Sequence, residues 1–319
     1  MIKLTICIAT YNRAGYIGET LDSIIPQLTE EVELLVVDGA STDNTETIMN
    51  NYLKKYDLIR YVRLQAKGGV DQDYDKAVEL AKGEMCWLFT DDDLLKAGSI
   101  NFILDELKNN YSLIIVNSEV RNKDFSKVLT RSLIELRGNK IFLENELDLL
   151  FQCTMPYLSF IGGVIINRNL WLQRERTKYY GTDFIHVGVI FQATLPLRAL
   201  VIGDPLIIIR IGNAQWTSRA FEIWMIKWPK LISSFSNISE KSKKKYIQNP
   251  SWIKLRKTII HRADHNYSFA EYHKWVSTAS LPKWWKKLMW LIASMPSPLA
   301  RIIVYSYGKF LALSSFRKK

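Results

Sequence analysis

The sequence predicts an α/β fold built on a mostly parallel sheet, and three observations carry that expectation. Short β-rich apolar runs alternate with amphipathic helical stretches from the first residues onward. The connections between them are short and polar. Several of the apolar runs also stop abruptly in polar or acidic residues, the place where open α/β sheets bind ligands.

The first run, Leu4-Thr5-Ile6-Cys7-Ile8-Ala9, reads as a central strand and ends at Thr10-Tyr11-Asn12-Arg13. Ile17, Leu21, Ile24, Ile25 and Leu28 then recur at helical spacing. Residues 32–37 form a second strand that stops at Asp38-Gly39-Ala40-Ser41, followed by a helix carrying Ile48, Tyr52 and Leu53. Residues 60–64 read as a third strand, and Lys67-Gly68-Gly69-Val70-Asp71 as a loop. A helix with Tyr74, Ala77, Val78 and Ala81 leads into a fourth strand, Met85 to Phe89.

Beyond it, Ile100, Ile103, Leu104 and Leu107 mark a helix, and residues 113–116 mark a strand. The mixed, basic stretch 120–140 is expected to run as strand and loop over the site. Residues 159–168 read as a strand with a close-approach glycine pair, Gly162-Gly163. Phe184, Val187, Ile190, Phe191 and Leu195 form a helical stripe, with Thr182 or Asp183 as its N-cap. Residues 199–202 and 206–211 are expected to pair as a hairpin about Gly203-Asp204-Pro205.

At 319 residues and 48% apolar, the chain can bury a substantial core. Cys7, Cys86 and Cys153 are too widely spaced for a zinc site or a disulfide frame, and fit buried thiols in a reducing compartment. With no leader ahead of the first strand, a cytoplasmic location is expected. No G-x-G-x-x-G follows the first strand and no G-x-x-x-x-G-K-[ST] occurs, which argues against dinucleotide and P-loop chemistry.

The chemistry concentrates at Asp91-Asp92-Asp93, directly after the fourth strand. Three adjacent carboxylates repel one another unless a cation neutralises them. Oxygen ligands in that number suit Mg²⁺ or Mn²⁺, which share such sites with substrate phosphates. The competing reading is a helix start with Asp93 as N-cap, but one aspartate would suffice for that.

Four stretches, taken together, resemble the nucleotide-sugar-dependent glycosyltransferases of family two, which have the GT-A fold. They are Ile8-Ala9-Thr10-Tyr11-Asn12-Arg13, then Val36-Val37-Asp38-Gly39-Ala40-Ser41-Thr42-Asp43, Gly68-Gly69-Val70-Asp71 through Gly83-Glu84, and Trp87-Leu88-Phe89-Thr90-Asp91-Asp92-Asp93. The likeness is close over the first third and thins toward residue 215; within the family it is nearest to bacterial O-antigen transferases, including the abequosyltransferase-like group.

The resemblance implies a set of roles. Thr10, Tyr11 and Arg13 would line the nucleotide pocket, Asp38 would accept from base or ribose, and Asp71 would approach nucleotide and sugar. Asp91, Asp92 and Asp93 occupy the DXD position and would hold Mn²⁺ or Mg²⁺, with Asp91 also on the ribose side; Thr90 stands where many members carry the first Asp. An inverting transfer further needs a base for the acceptor hydroxyl. Asp183 matches that station, with His186 as fallback and helix capping as the alternative role for Asp183. The expected activity is transfer of a sugar from a nucleoside-diphosphate donor to a polyprenyl-diphosphate-linked glycan of a bacterial surface polysaccharide. A non-catalytic nucleotide- or sugar-binding module is the alternative.

Composition also divides the chain. Residues 1–215 carry 23 Lys+Arg against 28 Asp+Glu, whereas residues 216–319 carry 20 against 4. Eight of the ten tryptophans lie in that second part, among them Trp216, Trp252, Trp284, Trp285 and Trp290. Interleaved Trp and Lys suit the membrane–water interface, so 1–215 is read as the catalytic domain and 216–319 as a basic helical extension meeting an anionic membrane surface. The apolar run 288–316, broken by Pro296, Pro298, Arg301 and Lys309, lacks the ~20 uninterrupted apolar residues of a span, so peripheral attachment at the inner face is expected. With no recognisable motif and an acidic front portion, nucleic acid is not an expected partner.

Overall fold

The computed structural model describes residues 1–247 and 255–316, with side chains through 306; Trp252 and Lys254 lie outside the described residues. Contacts divide the chain into two units: Met1–Asn213 with Phe235–Ser242, and Ala214–Ser234 with Lys243–Lys319.

In the first unit, strands β1 (Leu4–Thr10), β2 (Val32–Asp38), β3 (Ile59–Arg63) and β4 (Met85–Phe89) are linked by helices α1 (Ile17–Ile24), α2 (Thr45–Leu53) and α3 (Val70–Leu80). All four strands are parallel, in the order β3-β2-β1-β4. Buried on both faces, β1, β2 and β4 are near-continuous apolar runs and not alternating ones. Thr10 pairs with Asp38, and Ile8 with Phe89, so the three carboxyl ends open onto one edge.

The other half of the sheet is mixed. After β5 (Leu94–Leu95) and α4 (Ser99–Glu106) come β6 (Leu113–Arg121), β7 (Val128–Thr130), β8 (Lys140–Phe142), α5 (Leu147–Thr154), β9 (Val164–Asn167), α6 (Arg168–Gln173), α7 (Ile185–Phe191) and β10 (Ala199–Arg210). Strand β9 inserts antiparallel between β4 and β6. Its approach requires Gly163: a Cβ there would lie 2.7 Å from the Val116 carbonyl oxygen.

The expected closing hairpin is not formed. Residues 199–210 make one continuous strand whose two halves both run parallel to β6, offset by an irregularity between Ile202 and Ile207. The reason is local. The Asn117 side chain donates to the Gly203 carbonyl at 2.6 Å, and Pro205 has no N–H to give the ladder, so the strand bulges and continues. This extension carries Arg210 and Asn213 back to the end of β4. Strand β5, two residues long, pairs antiparallel with Ile207 and Ile208 and pins the chain just after the acidic trio.

The core of this unit packs Ile6, Ile8, Leu34, Val36, Trp87, Phe89, Ile114 and Ile165. The Trp87 indole N–H is satisfied by the Gly162 carbonyl at 2.8 Å. All three cysteines are free thiols, as the spacing predicts. Phe235 is 1% exposed and packs against Phe191, so a cut at residue 215 would strip a buried aromatic from this unit.

The second unit is helical. Its core groups Phe221, Met225, Tyr267, Val276, Met289 and Ile292, with Trp224, Trp275 and Trp285 packed against it. Trp284 and Trp290 instead remain exposed on the helix Lys283–Ser294. That helix ends at Met295, and the next, Ser297–Phe316, departs at 106° over its described first half. Among the described residues no single helix is long and apolar enough to cross a membrane.

Candidate active site

The site begins where β1 ends. Asn12, at φ +54°, accepts the Thr42 N–H through its side chain at 2.7 Å, and its own N–H reaches the Ser41 hydroxyl at 2.8 Å. These bonds knit the loops after β1 and β2 together and direct Arg13 across the sheet edge. Its Nε lies 3.3 Å from Asp91 Oδ1 and its Nη2 lies 3.1 Å from Asp92 Oδ2. Nη1 donates to the Asn213 carbonyl at 3.0 Å, and the Asn213 amide donates to Asp92 Oδ2 at 2.7 Å.

Asp93 faces elsewhere. One of its oxygens accepts the Thr90 hydroxyl and the other the Arg210 backbone N–H at 2.8 Å. The Arg210 guanidinium donates to the Asp92 carbonyl oxygen at 3.0 Å, pairs with Glu19, and lies against the Tyr16 and Phe125 rings. Asp93 thus fastens the β4 loop to β10, while Asp91 and Asp92 converge on Arg13.

Electrostatics at this edge is frustrated. Burial pushes the Asp91 carboxyl up to about 7; the Asp92 charge adds to the shift and Arg13 opposes it. Asp93 rises to about 8, by burial first and then by Asp92. Asp92 is also raised by burial, against Arg13, Asn213 and Arg210. One guanidinium does not neutralise two buried carboxylates, and the residual charge favours a further cation. Among the described residues no group of three His, Cys, Asp or Glu side chains could by itself hold a metal ion. Two carboxylates completed by phosphate oxygens and water are, however, the usual way Mg²⁺ is bound. Asp91 and Asp92 therefore fit a divalent ion that arrives with a diphosphate.

Thr10 is buried at the end of β1, and Lys67 Nζ sits 3.6 Å from the centre of the Tyr11 ring. Asp38 is wholly buried; its oxygens accept the Ser41 N–H at 2.7 Å and the Tyr61 hydroxyl at 2.6 Å, which shapes the turn after β2. Asp73, which the sequence reading passed over, fills the space beside that turn. A Cβ on Gly39 would lie 2.7 Å from its Oδ2, and desolvation pushes its carboxyl up to about 6.

Asp71, which the resemblance places toward nucleotide and sugar, lies in the first turn of α3. It is 3% exposed, and its two oxygens accept the backbone N–H groups of Asp183 and Ile185, each at 2.9 Å. The Phe184 N–H goes to the Thr182 hydroxyl at 3.1 Å. Capping at the start of α7 is therefore done by Asp71 and Thr182. Asp183 itself is half-buried at φ +68°, a left-handed conformation of order 1 kcal/mol unfavourable for a non-glycine residue. His186, the fallback base, is buried, held by the Leu158 carbonyl oxygen at 2.9 Å, and pushed down to about 4 by desolvation. It is a neutral core residue.

Arg210, Asn213, Asp73 and Asp75 were not legible beforehand. Arg210 ends an apolar run, and Asp73 and Asp75 read as the polar face of a helix; nothing local to any of them signals its partner.

The carboxyl edge of the sheet thus gathers an arginine-bridged carboxylate pair beside a turn closed by Asp38. Residues 5–162 match Glycosyl transferase family 2, and the chain is an enzyme of that family, a glycosyltransferase with the GT-A fold. It is 28% identical over 257 residues to abequosyltransferase RfbV of Salmonella typhimurium, spanning 75% of this chain and 77% of that protein. It is 26% identical over 181 residues to the GalNAc(5)-diNAcBac-PP-undecaprenol beta-1,3-glucosyltransferase of Campylobacter jejuni, spanning 47% and 59%. Among solved structures, S. aureus TarS 1-349 in complex with UDP-GlcNAc superposes with TM-score 0.60 at 15% identity, covering 97% of this chain and 92% of that one. The mannosyltransferase PcManGT of Pyrobaculum calidifontis, in complex with GDP-Man and Mn2+, superposes with TM-score 0.55 at 17% identity, covering 95% and 87%.

Asp73 supplies a pH test. Its folded pKa lies above the unfolded value, so its ionisation in the folded state destabilises the protein above about pH 6 and is absent below about pH 4. Asp73→Asn is expected to raise Tm by about 2–4 °C at pH 7.5, with the gap closing as pH falls toward 4. A gap that is constant with pH, measured by differential scanning calorimetry, would refute the assignment.

Proposed function

We propose that this glycosyltransferase moves a sugar from a nucleoside diphosphate to a lipid-linked glycan of a bacterial surface polysaccharide, with inversion and with help from Mn²⁺ or Mg²⁺. The observation that carries the donor half is the Asp91–Arg13–Asp92 bridge at the carboxyl edge of the sheet. The acceptor half is supported by the named activities of the relatives, one of which acts on an undecaprenol-linked glycan.

In this reading Asp91 and Asp92 hold the ion, whose chemistry is to neutralise charge on the leaving diphosphate. Arg13 adds a second positive charge there, and Thr10 and Tyr11 line the nucleotide. Asp183 accepts the proton of the acceptor hydroxyl as its oxygen bonds to the anomeric carbon. The bond from that carbon to the diphosphate oxygen breaks with its electron pair on the nucleotide.

The second unit supplies the contact with an anionic membrane surface, at the cytoplasmic face. Trp284, Ile302 and Tyr305 are each more than 60% exposed, and Trp284 lies among Lys283, Lys286 and Lys287 in the sequence. Exposed aromatics and lysines match headgroup depth, and each basic residue contributes about 1 kcal/mol near anionic lipid.

Three measurements check these statements. A thermal-shift panel of UDP, GDP, CDP and dTDP with Mn²⁺, Mg²⁺ or chelator is expected to show a metal-dependent rise for one nucleotide, lost in Asp92→Ala. No rise for any nucleotide with metal present would defeat the donor site. Asp183→Asn is expected to keep nucleotide affinity and reduce turnover by about 10²–10⁴-fold; near-normal turnover removes Asp183 from the mechanism. The full chain is expected to sediment with phosphatidylglycerol vesicles at low salt and release at high salt, with binding lost in Lys283→Glu/Lys287→Glu/Trp284→Ser; equal binding by the variant would sink the membrane reading.

A further inference from the structure

Helix α3 carries a row of carboxylates whose partners lie far away in sequence. Asp71, in its first turn, takes the amides of Asp183 and Ile185. One turn later Asp75, 1% exposed, accepts from the Trp171 indole at 2.8 Å, pairs with Arg176 Nε at 2.8 Å, and accepts the Tyr180 hydroxyl. The segment 171–185 thus hangs on two carboxylates four residues apart, on one face of one helix. Between them Tyr74 donates its hydroxyl to the Phe89 carbonyl at 2.8 Å, at the last residue of β4 before the acidic loop. The same helix therefore braces the diphosphate edge and the loop of Asp183.

That loop needs bracing. Gly181 and Asp183 both have positive φ, at +78° and +68°. A glycine adopts this region freely, but an aspartate holds it only where its surroundings fix it. Those surroundings include the two bonds to Asp71, one of them from the N–H of Asp183 itself. Without them two amides at a chain reversal lose their acceptors, and the backbone can relax out of the left-handed region.

We propose that Asp71 is a positioning residue for glycosyl transfer: by gripping the main chain on both sides of Phe184 it fixes where the Asp183 carboxylate stands relative to the diphosphate edge. Asp71 accepts the backbone amides of Asp183 and Ile185, so in this proposal its effect passes through Asp183. The inference rests on the reading of Asp183 as the base. Misplacement of a catalytic group by about 1 Å is enough to lower rates about 10²-fold.

The test uses the full chain and Asp71→Asn, which keeps the side-chain size but turns an NH₂ toward one of the two amides. Hydrogen exchange followed by mass spectrometry is expected to show peptides covering 181–187 exchanging at least about tenfold faster, with β1 and β4 unchanged. Turnover, read as nucleoside-diphosphate release from UDP-, GDP-, CDP- and dTDP-sugars, should fall about 10- to 100-fold with donor KM within about twofold. In an Asp183→Asn background the same substitution should cost less than about threefold, because the group it positions is already gone.

An equal loss in both backgrounds, or unaltered exchange over 181–187, would overturn the role of Asp71. Normal turnover in Asp71→Asn beside a dead Asp183→Asn overturns this inference and leaves the base reading standing. Normal turnover in Asp183→Asn overturns the base reading and this role with it. Should Asp71→Asn fail to fold by circular dichroism, Asp71→Ser, whose hydroxyl retains one acceptor in less volume, is read in the same way.

Discussion

The structure turns on the self-repulsion of the aspartates at the end of β4. Buried carboxylates at adjacent positions persist only if positive groups and hydrogen-bond donors are brought to them. Apart from the neighbouring Thr90 hydroxyl, the donors here arrive from two distant parts of the chain. Arg13 comes from the loop after β1, directed by the Asn12 contacts with the β2 loop. The Arg210 backbone and the Asn213 amide arrive at the end of β10, which reaches them because it bulges at Gly203 and does not turn back. The long, kinked strand is thus part of the charge balance of the site as well as of the sheet.

Helix α3 has a comparable place on the other side. Asp73 fills the space beside Gly39 and the Gly68 loop, Asp71 and Asp75 hold the segment 171–185, and Tyr74 holds the end of β4. A helix interior with this many acids is a poor isolated helix, since Asp competes with the backbone for hydrogen bonds. Tertiary partners remove that difficulty by taking each carboxylate in turn. One rigid element consequently fixes the spacing between the donor edge and the loop of the candidate base, with no need for either loop to be rigid by itself.

The two units solve different problems. The first balances part of its acidic charge internally, with Arg13, Arg176 and Arg210. The second carries a large positive excess with few acids to balance it, and divides its tryptophans between an ordinary core and an exposed set. Both parts of that division follow from amphipathic spacing: rings on the inner face of a helix pack, and those on the outer face are left for solvent or for another phase.

Much of this was legible in the residues. The four parallel strands, the helices between them, the free cysteines, the Gly163 close approach and the acidic loop follow from local pattern, because burial on both faces of a strand and on one face of a helix imposes a short-range periodicity. The family resemblance rested on the same stretches. What local pattern could not supply were partners separated by tens to hundreds of residues. The expected hairpin at Gly203 failed because turn chemistry and a strand bulge use the same residues, and only the facing Asn117 distinguishes them. Asp71 and Asp38 were read as ligand-facing; in the fold Asp71 also accepts two backbone amides, and Asp38 accepts the Ser41 amide and the Tyr61 hydroxyl. A carboxylate looks the same in sequence whether it will bind a ligand or a main-chain N–H. The sequence alone determined which chemistry is present and at the ends of which strands; the tertiary structure decided which of its aspartates bridge to Arg13, which fasten the fold, and which one helix holds in place, because those assignments depend on which donors the folded chain brings within hydrogen-bond reach.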